Sequence, residues 1–349
     1  MLTLTAGALF SCSQWKVSNL SMNPYAFIPA GEKGGEVKLS YDEHALKDLS
    51  FGVGIYDGKI CIADNNMKRM QVLDKKGSID LVIGSLRGVD TKKVKGVPFK
   101  FGTIGSFTID HDDTMYVQNR LTSTPRRRWR KEEAMNFSPS YILVFNSDGK
   151  LQYTLGTSGT PDIPFYYIDH LTVDDRERLF VISRSFDTWS VYRFAEKKRD
   201  FYINLNTLQF NEKEGEDLFK GKIENVKVYR SGEVILISVA YYHDRRLKYR
   251  KVYEYTIQGK KLQRPIVNIP DPKNVLFNVV DDKHIYFWNM EESESARFMI
   301  CNMDGNIINN VQLTMDNSRF YYSRVLGDIS GKFYSYHVSK KGIQIYEWE

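Results

Sequence analysis

The chain has 349 residues, and its 49 Lys and Arg against 43 Asp and Glu leave a net charge of +6, too small a surplus at this length to mark a nucleic-acid binder by itself. A hydrophobic fraction of 42% with 22 Tyr and 20 Phe suffices for a packed core and leans towards strands. No stretch approaches the roughly 20 apolar residues that a membrane-spanning helix needs.

Three cysteines, Cys12, Cys61 and Cys301, are too few for a disulfide framework. Cys61 and Cys301 lie in strand-like runs and read as buried thiols. Cys12 follows a short apolar run with small residues, Leu2–Phe10, which ends in Leu9-Phe10-Ser11-Cys12. That ending resembles a bacterial lipobox, with leucine three residues before the cysteine and a small residue just before it. The resemblance implies a lipoprotein signal peptide over 1–11, a lipidated Cys12 and a polar tether over 12–24. No Lys or Arg precedes the run, and the competing reading is an ordinary buried N-terminal strand.

From residue 52 to 84 four short strands follow one another, with an Asp57-Gly58 turn between the first two and Lys75-Lys76-Gly77 between the last two. One such sheet cannot bury its own faces, and the pattern recurs. Anchored on the first apolar residue of each second strand, the copies start at Ile60, Met115, Leu179, Val234, Ile285 and Phe333. Spacings of 55, 64, 55, 51 and 48 residues fall in the range of propeller blades lengthened by insertions. First strands are expected at 107–113, 171–178, 226–233, 278–283 and 325–332. The last copy lacks a fourth strand, and the segment 25–40 is expected to supply it and close the ring. The fold class is therefore all-β: one six-bladed β-propeller over 25–349, with four-stranded blades near 49–84, 104–156, 166–205, 222–269, 275–314 and 320–349 plus 25–40.

The run IADNNMKRMQVLDKKG of the first copy resembles the NHL repeat, and MYVQN with YILVFNSDGKLQYTLG of the second does so more loosely. A lipobox ahead of such a ring is also similar to propeller-type lipoproteins of spirochaetes. These resemblances imply a fold and a cell-envelope location; propellers host many functions, so they imply no activity.

In a propeller the loops between second and third strands share one face with the blade-to-blade connections. Sorting the charges by face concentrates the basic residues. Blade one contributes Lys68 and Arg69; its exit adds Arg87, Lys92, Lys93, Lys95 and Lys100. Blade two contributes Arg120, Arg126, Arg127, Arg128, Arg130 and Lys131 around Trp129. Blade three adds Arg184; blade four adds Arg245, Arg246, Lys248, Arg250 and Lys251 around Tyr249. Blade five places Glu291, Glu292 and Glu294 there instead. Such a face suits an acidic protein, an anionic glycan or an anionic membrane surface; nucleic acid is a poor match for a protein outside the cytoplasm.

The channel mouth carries Ser106, Asp169, His170, Glu224, Asn225, Asn278 and Arg324 at or near the starts of the first strands. Six-bladed lactonases and related hydrolases hold Ca²⁺ at a comparable place with carboxylate and amide oxygens, and that likeness implies Asp169, Glu224, Asn225 and Asn278 as ligands. No Ser–His or Cys–His nucleophile arrangement, Walker loop or CxxC is present, and no two of the six histidines have metal-ligand spacing. The expectation is a monomeric, exported, lipid-anchored binding platform without a cofactor, assigned no catalytic residue and no metal. The alternative is a Ca²⁺-dependent hydrolase or lyase at the channel mouth.

Overall fold

Asp57 and Gly58 both adopt positive φ, 47° and 76°, so Tyr56 pairs with Lys59 across a two-residue turn. The sheet built on that turn runs Phe51–Tyr56, Lys59–Asp64, Arg69–Leu73 and Ile79–Gly84 from the inside outwards. In this computed structural model, which describes residues 17–42, 45–46, 50–120, 140–156, 165, 167–185, 188–269, 271–289, 295–315, 322–328 and 330–349, it is the first of six blades. The inner strands of the others are Thr103–Ile109, Tyr167–Val173, Asp217–Val228, Asn274–Val280 and Tyr322–Gly327. The molecule is an all-β, six-bladed propeller.

The ring closes as expected, on a wider strand. Met22–Pro29 pairs antiparallel with Gly342–Trp348 as the outermost strand of blade six. Residues 17–24, expected as a tether, are instead largely strand: Val17–Leu20 lies parallel on Ile307–Thr314 of blade five, and 22–24 belong to the closure. Residues 36–39 form no strand; Val37 makes one bridge to Ala30. Blade one likewise gains a parallel fifth strand, Lys95–Pro98 on Ile79–Gly84. These additions cover backbone edges that would otherwise be open to pairing.

Six apolar clusters fill the spaces between neighbouring blades, one for each interface of the ring. Cys61, Met70 and Ile83 of blade one meet Phe107, Val117 and Phe145 of blade two, for example, and Ala26 and Ile28 of the closure strand join Ile60 and Ile62 to Val338 and Ile345. The second strand of each blade alternates between two clusters, as Ile60 and Ile62 do against Cys61 and Ala63, because successive side chains point to opposite faces. Cys61 and Cys301 are buried, and burial raises both thiols, Cys301 to about 11.

The lead-in from blade six to blade one, residues 31–38, is held by polar side chains. Buried Arg69 donates to the carbonyls of Glu32, Lys33, Glu36 and Arg87. Gln71 donates to the Glu36 carbonyl and accepts from Gly35 N, and Asp64 accepts from Lys38 N at 2.9 Å. Gly84 makes this packing feasible: at φ 121° a Cβ there would lie 2.4 Å from the Lys68 carbonyl oxygen.

Ile28, fully buried on the closure strand, is expected to cost about 2–5 kcal/mol on substitution by Ala, whereas exposed Phe27→Ala beside it should shift stability by less than about 0.5 kcal/mol. Urea unfolding of the two variants checks this. A pH test lies in blade six, where His337 sits between Ser323 Oγ, 2.7 Å from Nδ1, and Ser335 Oγ, 3.0 Å from Nε2. Burial lowers its pKa to about 4 from the ordinary 6.5, so the ring is neutral when folded and takes up a proton on unfolding between those values. Its contribution is present in full above pH about 6.5 and is lost as the pH falls towards about 4. His337→Gln should flatten the stability profile across that window, removing at most about 3 kcal/mol of pH dependence.

Candidate functional site

The inner strands of blades two to five slip register at one equivalent place: between Ile104 and Phe107, Ile168 and His170, Ile223 and Asn225, and Leu276 and Asn278. A bulge frees a residue from pairing and re-aims its side chain. The residues so released include Ser106, Asp169 and Glu224, with His170, Asn225 and Asn278 directly after. Most of the expected channel-mouth set therefore stands at the bulges.

These side chains do not converge on one ion. Ser106 Oγ accepts from Leu171 N at 3.1 Å, Asn225 Nδ2 donates to the Leu276 carbonyl at 2.7 Å, and Asn278 Nδ2 donates to the Asp328 carbonyl at 3.2 Å. Each of these bonds joins one blade to the next. Glu224 turns to Arg250, accepting from Nε at 2.6 Å and from Nη2 at 3.3 Å, and Tyr242 OH donates to it at 3.3 Å. Arg324 is exposed. Among the described residues, no group of three or more His, Cys, Asp or Glu side chains is placed to hold a metal ion.

Asp169 Oδ2 lies 2.9 Å from His170 Nδ1. Burial tends to raise the Asp169 carboxyl, but the His170 hydrogen bond and neighbouring cations outweigh it and hold the group below its usual range. Burial, helped by the charge of Lys227, lowers the His170 imidazole. The pair is thus an ionised Asp169 accepting from the Nδ1–H of a neutral His170. Lys227, on the inner strand of blade four, is itself lowered by burial, against the pull of Asp169 and with the push of Arg324.

Two cavities open onto these groups. A cleft of about 410 Å³ between blades three, four and five is lined by Arg184, Lys222, Glu224, Asn225, Tyr242 and Arg250 among others. It brings together Arg184 and Arg250 of the basic set with Glu224 and Asn225 of the channel-mouth set. Arg184 lies over the ring of Trp189 at 5.4 Å, and Trp189 is fixed by its Nε1 donating to the Ile223 carbonyl at 3.1 Å. The second cavity, about 220 Å³, lies in the central channel and takes lining residues from all six inner strands, among them His170, Lys227 and Asn278. Lys222 and Lys227 are missed by a reading of loops alone; what could have found Lys222 is its position two residues before Glu224 on one strand.

Elsewhere the basic set divides. Lys68, Arg87, Lys92, Lys93, Lys100, Arg245, Arg246 and Lys248 are exposed. Arg87 pairs with Glu32 at 3.2 Å and Lys93 with Asp90 at 3.8 Å. Arg69 does not belong to the face: its side chain points inwards from the third strand of blade one, and its charge serves backbone carbonyls. Arg250 is buried in its ion pair rather than presented to solvent. Lys95 pairs with Asp148, in the three–four turn of blade two, because the parallel fifth strand carries it to the opposite face. Beside Arg245 and Arg246 the hairpin Asn211–Glu214 and Asp217–Val228 adds acidic groups, and Glu212 accepts from Lys251 and from Tyr249. Cys12, Arg126, Arg127, Arg128, Trp129, Arg130 and Lys131, and the three glutamates of blade five, lie outside the described residues.

No family model matches the chain, and no curated protein matches it. Among solved structures, a protein of unknown function from Bacteroides caccae is similar over 88% of this chain and 84% of its own, with 11% sequence identity and a TM-score of 0.40.

Glu224→Gln should leave the buried Arg250 guanidinium without a full counter-charge and lower stability by about 1–3 kcal/mol in urea unfolding. The paired control Arg245→Ala and Arg246→Ala, on exposed groups, should change it by less than about 0.5 kcal/mol.

Proposed function

We propose that the protein is an exported, lipid-anchored propeller that acts as a non-enzymatic binding platform for an acidic ligand, centred on the cleft between blades three, four and five. One observation carries this reading: Arg184, Lys222 and Arg250 line a concavity of about 410 Å³ in which Glu224 is the sole carboxylate among the described lining residues. Glu224 is engaged with Arg250, and Arg184 and Lys222 bring two further basic side chains to the lining. A concavity of that size suits one carboxylate- or sulfate-bearing group of an acidic glycan or peptide better than a flat membrane surface. The exposed Arg87, Lys92, Arg245, Arg246 and Lys248 would steer such a partner over longer range, and that contribution would fade with salt. The NHL-like run of blade one and the lipobox-like ending at Cys12 support the envelope setting by resemblance.

The test is binding of the purified propeller to immobilised heparin and polygalacturonate across a salt series. Arg184→Ala with Lys222→Ala should weaken the better ligand about tenfold or more, since each charge-assisted hydrogen bond contributes about 1.5–3 kcal/mol. Unchanged affinity and salt dependence in the double variant would overturn the cleft as the binding centre. The anchor has a separate readout. Intact mass of the native protein is expected to begin at Cys12 with attached acyl chains, and a mass that includes Met1 without lipid would refute the export reading.

A further inference from the structure

Beneath the exposed Arg184 and Lys222, the cleft between blades three, four and five holds two uncharged polar side chains. They are Asn225, on the inner strand of blade four, and Ser238, on its second strand. The bulge at Glu224 sets the two directly opposite each other, so both side chains leave the sheet on one face. At the equivalent register blades three and five carry larger residues, Ile182 opposite His170 and Tyr286 opposite Asn278. Serine at this place leaves a hollow that a larger side chain would fill. Ser238 is only 1% exposed, yet its hydroxyl makes no hydrogen bond with a described residue. The oxygen is not sealed off either; it is the part of the side chain that reaches the cleft. Asn225 is oriented by its Nδ2, which donates to the Leu276 carbonyl at 2.7 Å, so Oδ1 is left as an acceptor without a donor among the described residues. Polar groups withdrawn from bulk water without partners are unfavourable, and a ligand group that bonds both removes that cost.

The pair says what that group is. Carboxylate and sulfate oxygens only accept, so neither can satisfy Asn225 Oδ1. An alcohol donates to Oδ1 and accepts from Ser238 at once, a single group serving both. Arg184 and Lys222 beside the pair call for an anion. The Arg184 guanidinium, lying over the Trp189 ring at 5.4 Å, keeps its in-plane N–H donors for a carboxylate. Ile223, Val275 and Leu276 offer hydrocarbon to the C–H face of a ring. Resting on the reading of the cleft as an acidic-ligand site, we propose that its occupant is a uronate sugar of an acidic polysaccharide. Its carboxylate lies at Arg184 and Lys222, and a ring hydroxyl lies between Asn225 Oδ1 and Ser238 Oγ.

The test is calorimetric titration of the whole propeller with two probes at equal ionic strength. One is trigalacturonate; the other is N-acetyl-triglutamate amide, which carries the same number of carboxylates and no hydroxyl. The sugar is expected to bind more tightly than the peptide. Ser238→Ala, checked for an unchanged melting temperature, should lower the sugar's affinity about three- to tenfold, the range for loss of one hydrogen bond, and leave the peptide's unchanged. Arg184→Ala with Lys222→Ala should weaken both probes, because it removes the charge that they share. Equal affinity of the two probes for the unsubstituted protein, or an unchanged sugar affinity in Ser238→Ala, would refute the uronate assignment. If both probes then still weakened in the Arg184 and Lys222 double variant, the cleft would stand as an acidic-ligand site without it. Binding of neither probe would overturn the cleft reading itself, and the uronate assignment with it.

Discussion

A ring of blades has one seam, and everything else in this molecule depends on how that seam is held. The backbone ladder between Met22–Pro29 and Gly342–Trp348 joins segments about as far apart in the chain as any two can be. Ladder hydrogen bonds alone are modest in net worth, so the seam is reinforced on both sides. Apolar residues of the closure strand enter the cluster shared by blades six and one. The lead-in that follows is gripped by a buried guanidinium, a buried amide and a buried carboxylate, Arg69, Gln71 and Asp64. Arg69 is thus the clearest case of a charge whose work is structural, satisfying carbonyls that a turn without regular pairing would leave open.

The same economy governs the rest of the ring. Each blade is fastened to the next by a side chain that reaches a neighbouring backbone group: Asn65 to Ile104, Ser106 to Leu171, Trp189 to Ile223, Asn225 to Leu276 and Asn278 to Asp328. The residue types differ from blade to blade, yet the interaction recurs. All five of these stitches involve a residue in or flanking an inner-strand bulge, so the bulges serve two ends: they lock adjacent blades and they turn polar groups towards the channel and the cleft. The positions of Glu224, His170 and Lys227 follow from backbone geometry more than from any loop, and groups mounted on a sheet hold their places better than groups on an extended loop.

How much of this could be read from the residues alone follows from what leaves a periodic trace. The Asp57-Gly58 turn, the six second strands and the need for a closing strand all do, because pairing and burial impose period two and an unpaired edge must be covered. The first strands read several residues late. Polar residues or glycine stand early in several of them, Thr103, Gly105 and Asp169 among these, and in blades two to five the bulge breaks the alternation that would have marked the strand. The parallel fifth strands at 17–20 and 95–98, two of three such additions with the antiparallel one at 211–214, left no trace, since short strands on an outer edge need no apolar alternation. For the site, sorting charges by face located Arg184 and the exposed part of the basic set. It placed Arg69 and Arg250 wrongly because a sequence does not tell an exposed cation from one that points inwards to a carbonyl or a carboxylate. Lys227 was invisible for the converse reason: a lone lysine on a strand looks like a solvated one.

The seam also orders events in time. Gln344 Nε2 donates to the carbonyl of Ala26, a contact spanning 318 positions, so the closing ladder has the largest loop entropy to overcome of any pairing in the ring. Blades one to five can each assemble from neighbouring hairpins as the chain emerges, but the strand at 22–29 is made ahead of all of them and must wait for its partner at 342–348. Until then it is an unpaired edge with an apolar face, the kind of surface that recruits other chains. A protein with this topology matures in two stages, fast local sheet formation and one late cyclisation, and any factor that shields the early strand acts before the ring exists.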